Sequence, residues 1–444
     1  MAVEITGFSR LSKDEKIKFL DNEHKERYGF SIESTLKSFW HGDEKQQQVI
    51  DEFSENTISN FVLPFGIVPN VMINDHVYNV PMAIEESSVV AACSKSAKFW
   101  LARGGIKAEV VSTKKVGHVH FSYSGSSEKL FQFFEQKKSD LLKMISPLTK
   151  SMEKRGGGVL DIHLKDQTKK LENYYQIEAE FETCDAMGAN FINSVLESLA
   201  ENFKMIVVSD LMNFDSNQSL DFEIIMAILS NYTPECIAKV EVSCPVEDLE
   251  IKKLGISGKE FAEKFLRAIQ IARADVSRAV THNKGIFNGI DAVVLSTGND
   301  FRAVEACGHA YASRDGSYRG LTLCEIEDGL FKFRLEMPLA IGTVGGLTNL
   351  HPLSRLALDL LEKPKAEDLM KVILSVGLLQ NFAAVSSLIT TGIQKGHMKM
   401  HLLNILRHLE ASEREVELTK DYFDEKVVSF SSVKEFVSRL RDNQ

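Results

Sequence analysis

The sequence predicts an α+β protein: a large domain of mixed helices and strands, interrupted by a compact unit at about residues 108–220, with a helical tail. Two patterns predict it. Strands and helices alternate through ~100 residues from Ala108 onward, which is the texture of a small α+β unit. Apolar helical stretches stand on either side of that unit, and no internal repeat or low-complexity segment breaks the chain. The 444 residues suffice for two or three domains at about 150 residues each.

Taken in order, residues 10–60 read as short polar helices ending in E-N-T-I-S-N-F-V-L-P-F-G. Residues 71–80 read as a hairpin around Asn74-Asp75, a pair that tolerates left-handed backbone. A helix rich in small residues follows from Ser87 and stops at Gly104-Gly105. Its apolar surface on most sides predicts a central, closely packed position. Next come strands A-E-V-V-S-T and H-V-H-F-S-Y, and an amphipathic helix near Glu128–Lys154. Arg155-Gly-Gly-Gly leads into strand V-L-D-I-H-L, and Tyr175–Thr183 is a further strand. A helix from about Ala186 to Phe203 then leads into a strand M-I-V-V. The large domain resumes with helices around 258–285 and 300–313 and a long apolar helix at 366–391. These limits divide the chain into 1–107, 108–220, 221–391 and a charged helical tail at 392–444, joined through Thr391-Gly392.

Composition narrows the partners. Lys plus Arg number 52 against 62 Asp plus Glu, a formal charge of −10, which argues against nucleic acid or an anionic membrane as the main partner. Six cysteines without a C-x-x-C pair suit reduced thiols better than a disulfide framework or a zinc site. The N-terminus lacks the apolar core of a signal peptide, and no uninterrupted apolar run approaches the ~20 residues of a membrane span. These features predict a cytoplasmic protein.

The segment Thr281–Asp300 places Lys284 and Asp300 at the two ends of an apolar run. Charges there are costly unless paired, so the two either meet as a buried ion pair or face a ligand. Glu85 and Glu86 open the small-residue helix. They serve the helix dipole, or one of them is a desolvated proton donor. Asp185–Asn190, D-A-M-G-A-N, marks a change from strand to helix, where free N–H groups attract an anion or a plain cap suffices. No G-x-G-x-x-G occurs, which argues against a Rossmann site. His397 and His401 share a helix face, but without an intervening Glu or a third ligand they make a poor metal pair; no metal is expected. His118 and His120 share a strand face as surface or packing residues, and Ile341–Asn349 is a glycine-rich turn suited to close backbone packing.

Together the segments P-M-A-I-E-E-S-S-V-V-A-A, R-G-G-G, D-A-M-G-A-N, A-V-T-H-N-K-G-I-F-N-G-I-D, T-G-N-D-x-R-A-V-E-A, I-G-T-V-G-G, V-G-L-L-Q-N-F-A-A and G-I-Q-K-G-H-M occur in the order found in 3-hydroxy-3-methylglutaryl-CoA (HMG-CoA) reductase. The chain resembles that family over roughly residues 50–405, and the lysine in H-N-K-G resembles the bacterial and archaeal class II. The resemblance implies a substrate-binding large domain, a ferredoxin-like non-Rossmann cofactor domain and a helical C-terminal flap. It implies two-step reduction of HMG-CoA to mevalonate and coenzyme A in isoprenoid biosynthesis. It further implies a homodimer with a shared active site, in a class whose dimers often assemble as threes.

By the same resemblance Lys284 holds the developing oxyanion, Asp300 contacts and tunes that lysine, Glu86 donates a proton in the aldehyde step, and His397 protonates the leaving thiolate. Ser88, Arg278, Asn288, Gln380, Ala384 and Leu388 are carried to substrate recognition, Arg278 as the bidentate partner of a carboxylate. Asp185, Met187, Gly188 and Asn190 are carried to the cofactor. Three positions depart from the family pattern: Ser87 for proline, Asp210 in V-S-D where an anion would be repelled, and Leu347 for a small residue. NADH-preferring members carry an aspartate ahead of R-G-G-G; here Thr149 stands there, with Lys150, Lys154 and Arg155 around it, which suits the 2′-phosphate of NADPH over NADH. Two other readings stay open: a non-catalytic acyl-CoA or nucleotide-binding relative, and the same enzyme running in mevalonate catabolism.

Overall fold

The fold is mixed α/β, seen in a computed structural model that describes residues 5–211, 221–392, 402–423, 426 and 428–442. Helices α1 (Lys13–Tyr28), α2 (Glu33–Ser38) and α3 (Glu44–Asp51) come first. A reciprocal capping box at Ser12 and Glu15 starts α1, and Asp43 caps α3. The hairpin β1 (Phe65–Ile73) and β2 (His76–Ala83) turns at Asn74 and Asp75, with φ of 48° and 69°. Positive φ at both central residues matches the right-handed strand twist. The Asn74 side chain also bonds both backbone groups of Ala108, fastening the hairpin to the next strand.

Helix α4 (Val89–Leu101) leads to β3 (Lys107–Val110) and β4 (Lys115–Tyr123). Helix α5 (Ser127–Glu153) precedes β5 (Gly158–Asp166) and β6 (Tyr174–Glu182), and α6 (Ala189–Ile206) precedes β7 (Phe222–Leu229). Strands β4 to β7 form one antiparallel sheet in the order β5-β6-β4-β7. Every second residue of β4 is buried from Lys115 to Tyr123, so one sheet face meets the core and the other faces outward. The buried face packs with Leu130, Phe134, Leu141, Leu196, Leu199 and Phe203 of α5 and α6 into a core of its own.

Two expectations change in this unit. M-I-V-V is no strand: α6 runs through Ile206 and residues 207–211 continue as a π-helical turn. Leu196, Leu199, Phe203, Ile206 and Val207 are all buried, so the helical stripe outlasts Phe203 and overrides the local β-branched run. The fourth strand of the sheet is β7, which begins beyond residue 220, while β3 pairs outside the sheet with β8 (Ile237–Pro245).

The second sheet has the order β3-β8-β10-β9, with β9 (Thr322–Glu327) and β10 (Leu330–Pro338) paired antiparallel. Against it lie α7 (Gly258–Ala274) and, beyond α8 (Val276–Ser296), which packs on β2 and α12, α9 (Phe301–Ala312) and, after the short α10 (Leu347–Leu350) and α11 (Pro352–Leu360), the long α12 (Ala366–Ile389). Helix α12 is the axis of the large core, packing on α4, α7, α8 and strands β8 and β10. By length and composition it could cross a membrane, although Lys371, Ser375, Gln380 and Asn381 interrupt its apolar run. Its place explains the apolarity, since 67% of its most apolar window is buried inside the protein. Helices α8 and α12 meet at glycines: a Cβ on Gly377 would lie 2.8 Å from Ile290, and one on Gly289 would lie 2.9 Å from the Val376 carbonyl. The tail holds helices Glu413–Tyr422 and Phe430–Asp442 around a small core that includes Leu406, Phe423 and Val433.

Candidate functional site

Asp275 breaks the chain between α7 and α8, its carboxylate accepting from the Arg278 N–H at 2.6 Å to start α8. Two turns later Lys284 leaves the helix surface. Its ammonium lies 2.9 Å from Oε2 of Glu86, which stands just ahead of α4. The two side chains are 60% and 38% exposed, and such a pair contributes at most about 1 kcal/mol to folding. Stability is therefore not its reason. Lys284 and Asp300 do not form the buried ion pair left open above, nor does Asp300 contact the lysine within this chain. Instead Asp300 caps α9 through the N–H groups of Arg302 and Ala303 and takes the Arg302 fork at 3.0 Å on each oxygen. Burial pushes the Asp300 carboxyl up, but Arg302 and the two N–H groups outweigh it and hold it below the usual range.

Ser88 sits at the mouth of α4 with φ of 76° and no side-chain cap bond. A serine in the left-handed region costs on the order of 1 kcal/mol, a strain that points to a positional demand. Arg278 is half-buried, and burial lowers its guanidinium from the usual value; no carboxylate pairs with it among the described residues. On α12 the positions Gln380, Ala384 and Leu388 follow a spacing of four and trace one face, from the buried core to the exposed helix end. Gln380 is 5% exposed and its Oε1 has no hydrogen-bond partner among the described residues. Asn288 is half-buried on α8. His397 and His401 lie outside the described residues.

Beneath Lys284 lies a network that the residue pattern did not reveal. His282 Nε2 meets the Thr322 hydroxyl at 2.6 Å, and that hydroxyl also reaches Asn381 of α12. Asn283 donates to the Arg319 carbonyl and accepts from the Leu321 N–H, both at 2.9 Å. Burial, with Arg278 nearby, pushes the His282 imidazole down to about 3, so it stays neutral at ordinary pH. Both residues are buried, and the only signal in the sequence was their position next to the lysine.

The D-A-M-G-A-N turn forms a second pole. Gly188 has φ of 93°, and a Cβ there would lie 2.5 Å from Thr183 Cγ2, so glycine is required. It starts α6 with no side-chain cap, leaving the first N–H groups of the helix open. The glycine-rich segment 341–346 packs on this turn: Thr343 N–H donates to Asp185 O at 2.8 Å, and a Cβ on Gly342 would lie 2.4 Å from Met187 N. Asn299, of T-G-N-D, holds the Gly342 N–H at 2.8 Å and so joins the Asp300 region to the turn. The Asp185 carboxylate is engaged by the Ala366 N–H at 2.8 Å, so it serves the frame of the turn. Met187 and Asn190 flank Gly188, half-buried and exposed.

Underneath the turn lies Lys115, 3% exposed, bonding Thr183 Oγ1 at 2.5 Å and the Ala186 carbonyl at 3.4 Å. Sequence reading missed it, although its inward parity in β4 was a usable sign. Cys184 Sγ bonds the Arg155 carbonyl at 3.3 Å, bringing the end of α5 beside the turn. There Lys150, Lys154 and Arg155 are exposed. Thr149 is the exception: it is 2% exposed and its hydroxyl is engaged by Ser146 O and Glu153, so it does not present itself to a ligand. Asp210 pairs with Lys137 of α5, and the hydrogen bonds from Lys137 and Ser209 hold its carboxyl below the usual range. Leu347 is 42% exposed, so its bulk stays outside the turn, while Gly298 meets its backbone closely.

The sequence model of the family described as hydroxymethylglutaryl-coenzyme A reductase matches residues 13–402. The 3-hydroxy-3-methylglutaryl-coenzyme A reductase of Archaeoglobus fulgidus is 33% identical, over 99% of this chain and 95% of that protein. A probable reductase of the same name from Borreliella burgdorferi is 32% identical over 94% of this chain and 91% of its own length. Two solved structures of the Streptococcus pneumoniae reductase are similar. One superposes with a TM-score of 0.72 at 32% identity, covering 99% of this chain and all (100%) of that chain. The other, class II and bound to NADPH in open conformations, gives 0.71 at 33%, covering 87% of this chain and 100% of that one. The chain belongs to the hydroxymethylglutaryl-coenzyme A reductase family.

Proposed function

We propose that this chain reduces HMG-CoA to mevalonate and coenzyme A, consuming two NADPH and two protons, with Lys284 and Glu86 at the reacting carbonyl. The observation that carries the reading is the exposed Lys284–Glu86 contact of 2.9 Å, a cation and a proton carrier held together where folding gains little from them. Among the described residues Arg278 has no carboxylate and Oε1 of Gln380 has no partner, which supports the reading as groups awaiting a polar ligand.

The cofactor turn fits NADPH by shape and charge: an obligatory glycine, open N–H groups and three exposed cations beside them. When bound, the nicotinamide supplies the two hydrides. Lys284 holds the oxyanion that forms at the thioester carbonyl and again at the aldehyde. The hemithioacetal collapses to mevaldehyde and a thiolate, which His397 protonates. Glu86, within hydrogen-bond reach of Lys284, passes the proton that completes the second reduction. Arg278 fixes the substrate carboxylate by its fork, and the Gln380, Ala384 and Leu388 face guides the acyl-CoA arm.

Asp300 stays on Arg302 within the chain, which supports a homodimer whose second copy completes the site; dimers could assemble further as threes. Exposed Phe61 (94%) and Val62 (66%) ahead of β1 offer apolar surface for such a contact. The βαββαβ order of β4 to β7, with sheet order β5-β6-β4-β7, supports a ferredoxin-like cofactor domain spanning about 114–230, wider at its end than 108–220. The remaining large domain and the tail from 392 keep the roles of substrate domain and flap. Six free thiols support a cytoplasmic setting. Steady-state oxidation of NADPH and of NADH with HMG-CoA tests the reading. HMG-CoA-dependent turnover with NADPH is expected; a preference for NADH of about tenfold or more overturns the cofactor assignment. No turnover with either nucleotide, alongside tight coenzyme A binding, overturns the enzyme in favour of a binding protein.

A further inference from the structure

The outer side of the β3-β8-β10-β9 sheet holds a cavity of about 660 Å³, walled also by the end of α7 and the segment after α9. Neither Lys284, Glu86, Arg278 nor the D-A-M-G-A-N turn lines it. Six cations and four carboxylates do. Three of the cations are already matched: Lys239 by Glu336 at 3.2 Å, Arg334 by Glu325 at 2.7 Å and Lys107 by Asp75 at 3.2 Å. The other three are arginines. Among the described residues Arg273 donates only to the Gly320 carbonyl at 3.2 Å, and Arg314 lies over the Tyr311 ring at 3.8 Å and donates to its carbonyl. Arg319 and Arg273 are half-buried, and no carboxylate lies in ion-pair distance of these three among the described residues. Burial, then the neighbouring Arg319 and Arg314, lower the Arg273 guanidinium, with Asp315 opposing; the cluster repels itself.

We propose that this arginine-lined cavity binds the phosphate groups of a small oligophosphate metabolite, at a site separate from the reductase centre. Guanidinium forks match tetrahedral phosphate oxygens in pairs, and three unmatched forks offer more donors than one carboxylate can accept. The volume falls within the about 300–1,000 Å³ of small-molecule sites. Occupancy relieves the mutual repulsion of the arginines. It also bears on the active site, because Asn283 holds the Arg319 carbonyl and the Leu321 N–H at 2.9 Å and precedes Lys284 in α8.

Titration calorimetry with sodium pyrophosphate at constant ionic strength tests this on the full chain. Saturable binding by the wild type is expected, weakened about tenfold or more in the Arg273→Ala/Arg319→Ala variant. Lys332→Ala, a cation paired with Glu327 outside the cavity, is expected to keep the wild-type affinity. If the double variant fails to fold, Arg319→Gln carries the same comparison. Absence of saturable binding, or equal affinity in the arginine variants, overturns the proposal. So does a fall in oligomeric mass without a change in binding, which would assign these arginines to a second copy.

Discussion

The Asp185 carboxylate accepts a 2.8 Å hydrogen bond from the backbone N–H of Ala366, the first residue of α12. One bond thus ties the turn ahead of α6 to the helix that presents Gln380. Lys365 gives α12 no side-chain cap, so Asp185 serves as a cap supplied from 181 positions away. Asp185→Ala is expected to cost about 1 kcal/mol in urea unfolding and to raise KM for NADPH with little change in kcat. Asp185→Asn keeps an acceptor oxygen and should recover most of both. A variant pair with identical KM would refute the link.

Lys284→Ala should separate chemistry from stability. The ion pair is exposed, so unfolding free energy should change by less than about 1 kcal/mol. Loss of the charge at the oxyanion should reduce kcat by roughly 10²–10³ or more, with HMG-CoA binding retained by calorimetry. A large drop in melting temperature with modest loss of rate would contradict the assignment.

Ser88 holds its left-handed backbone without a cap bond. Ser88→Gly should relieve the strain and stabilise the fold by about 0.5–1 kcal/mol in thermal melts, while KM for HMG-CoA rises. Unchanged KM would remove Ser88 from the binding face.

Asp291 of α8 has an Oδ1 without a partner among the described residues, and burial, then the adjoining Glu305, push its carboxyl up to about 8. The folded state therefore binds a proton that the unfolded chain has released above about pH 4. Stability from this group is full below that pH and declines as pH rises toward 8. Asp291→Asn mimics the protonated form and should stabilise the protein more at pH 8 than at pH 5. Parallel melts at the two values check the sign; an equal effect at both would show an ordinary carboxyl there.

Much of the scaffold was legible in the sequence because its signals are local. Asn74-Asp75, the parity of β4 and the stop at Gly104-Gly105 each express a backbone or burial requirement within a few residues. M-I-V-V misled because four β-branched and apolar residues fit either period, and only packing of Phe203, Ile206 and Val207 on the sheet decides for helix. β7 went unread since its burial pattern, with Ile225, Met226 and Ile228 exposed, lacks clean alternation. At the site, the motifs named Lys284, Glu86 and Gly188, but the pairings Lys284–Glu86 and Lys137–Asp210 join residues far apart in sequence and are not written in either neighbourhood. Asp300 and Thr149 instead choose near neighbours, Arg302 and Glu153, over a ligand, a competition that motif matching does not weigh.

The glycine contacts between α8 and α12 have a mechanical consequence. With Gly289 and Gly377 letting backbone meet side chain at distances a Cβ would violate, the two rods are locked in both spacing and register. Lys284 on one rod and Gln380 on the other are then jaws of a single fixed vice. Whatever opens to admit a molecule of substrate must be hinged elsewhere, and methylating either contact by a change to alanine would spread the jaws rather than slow the hinge.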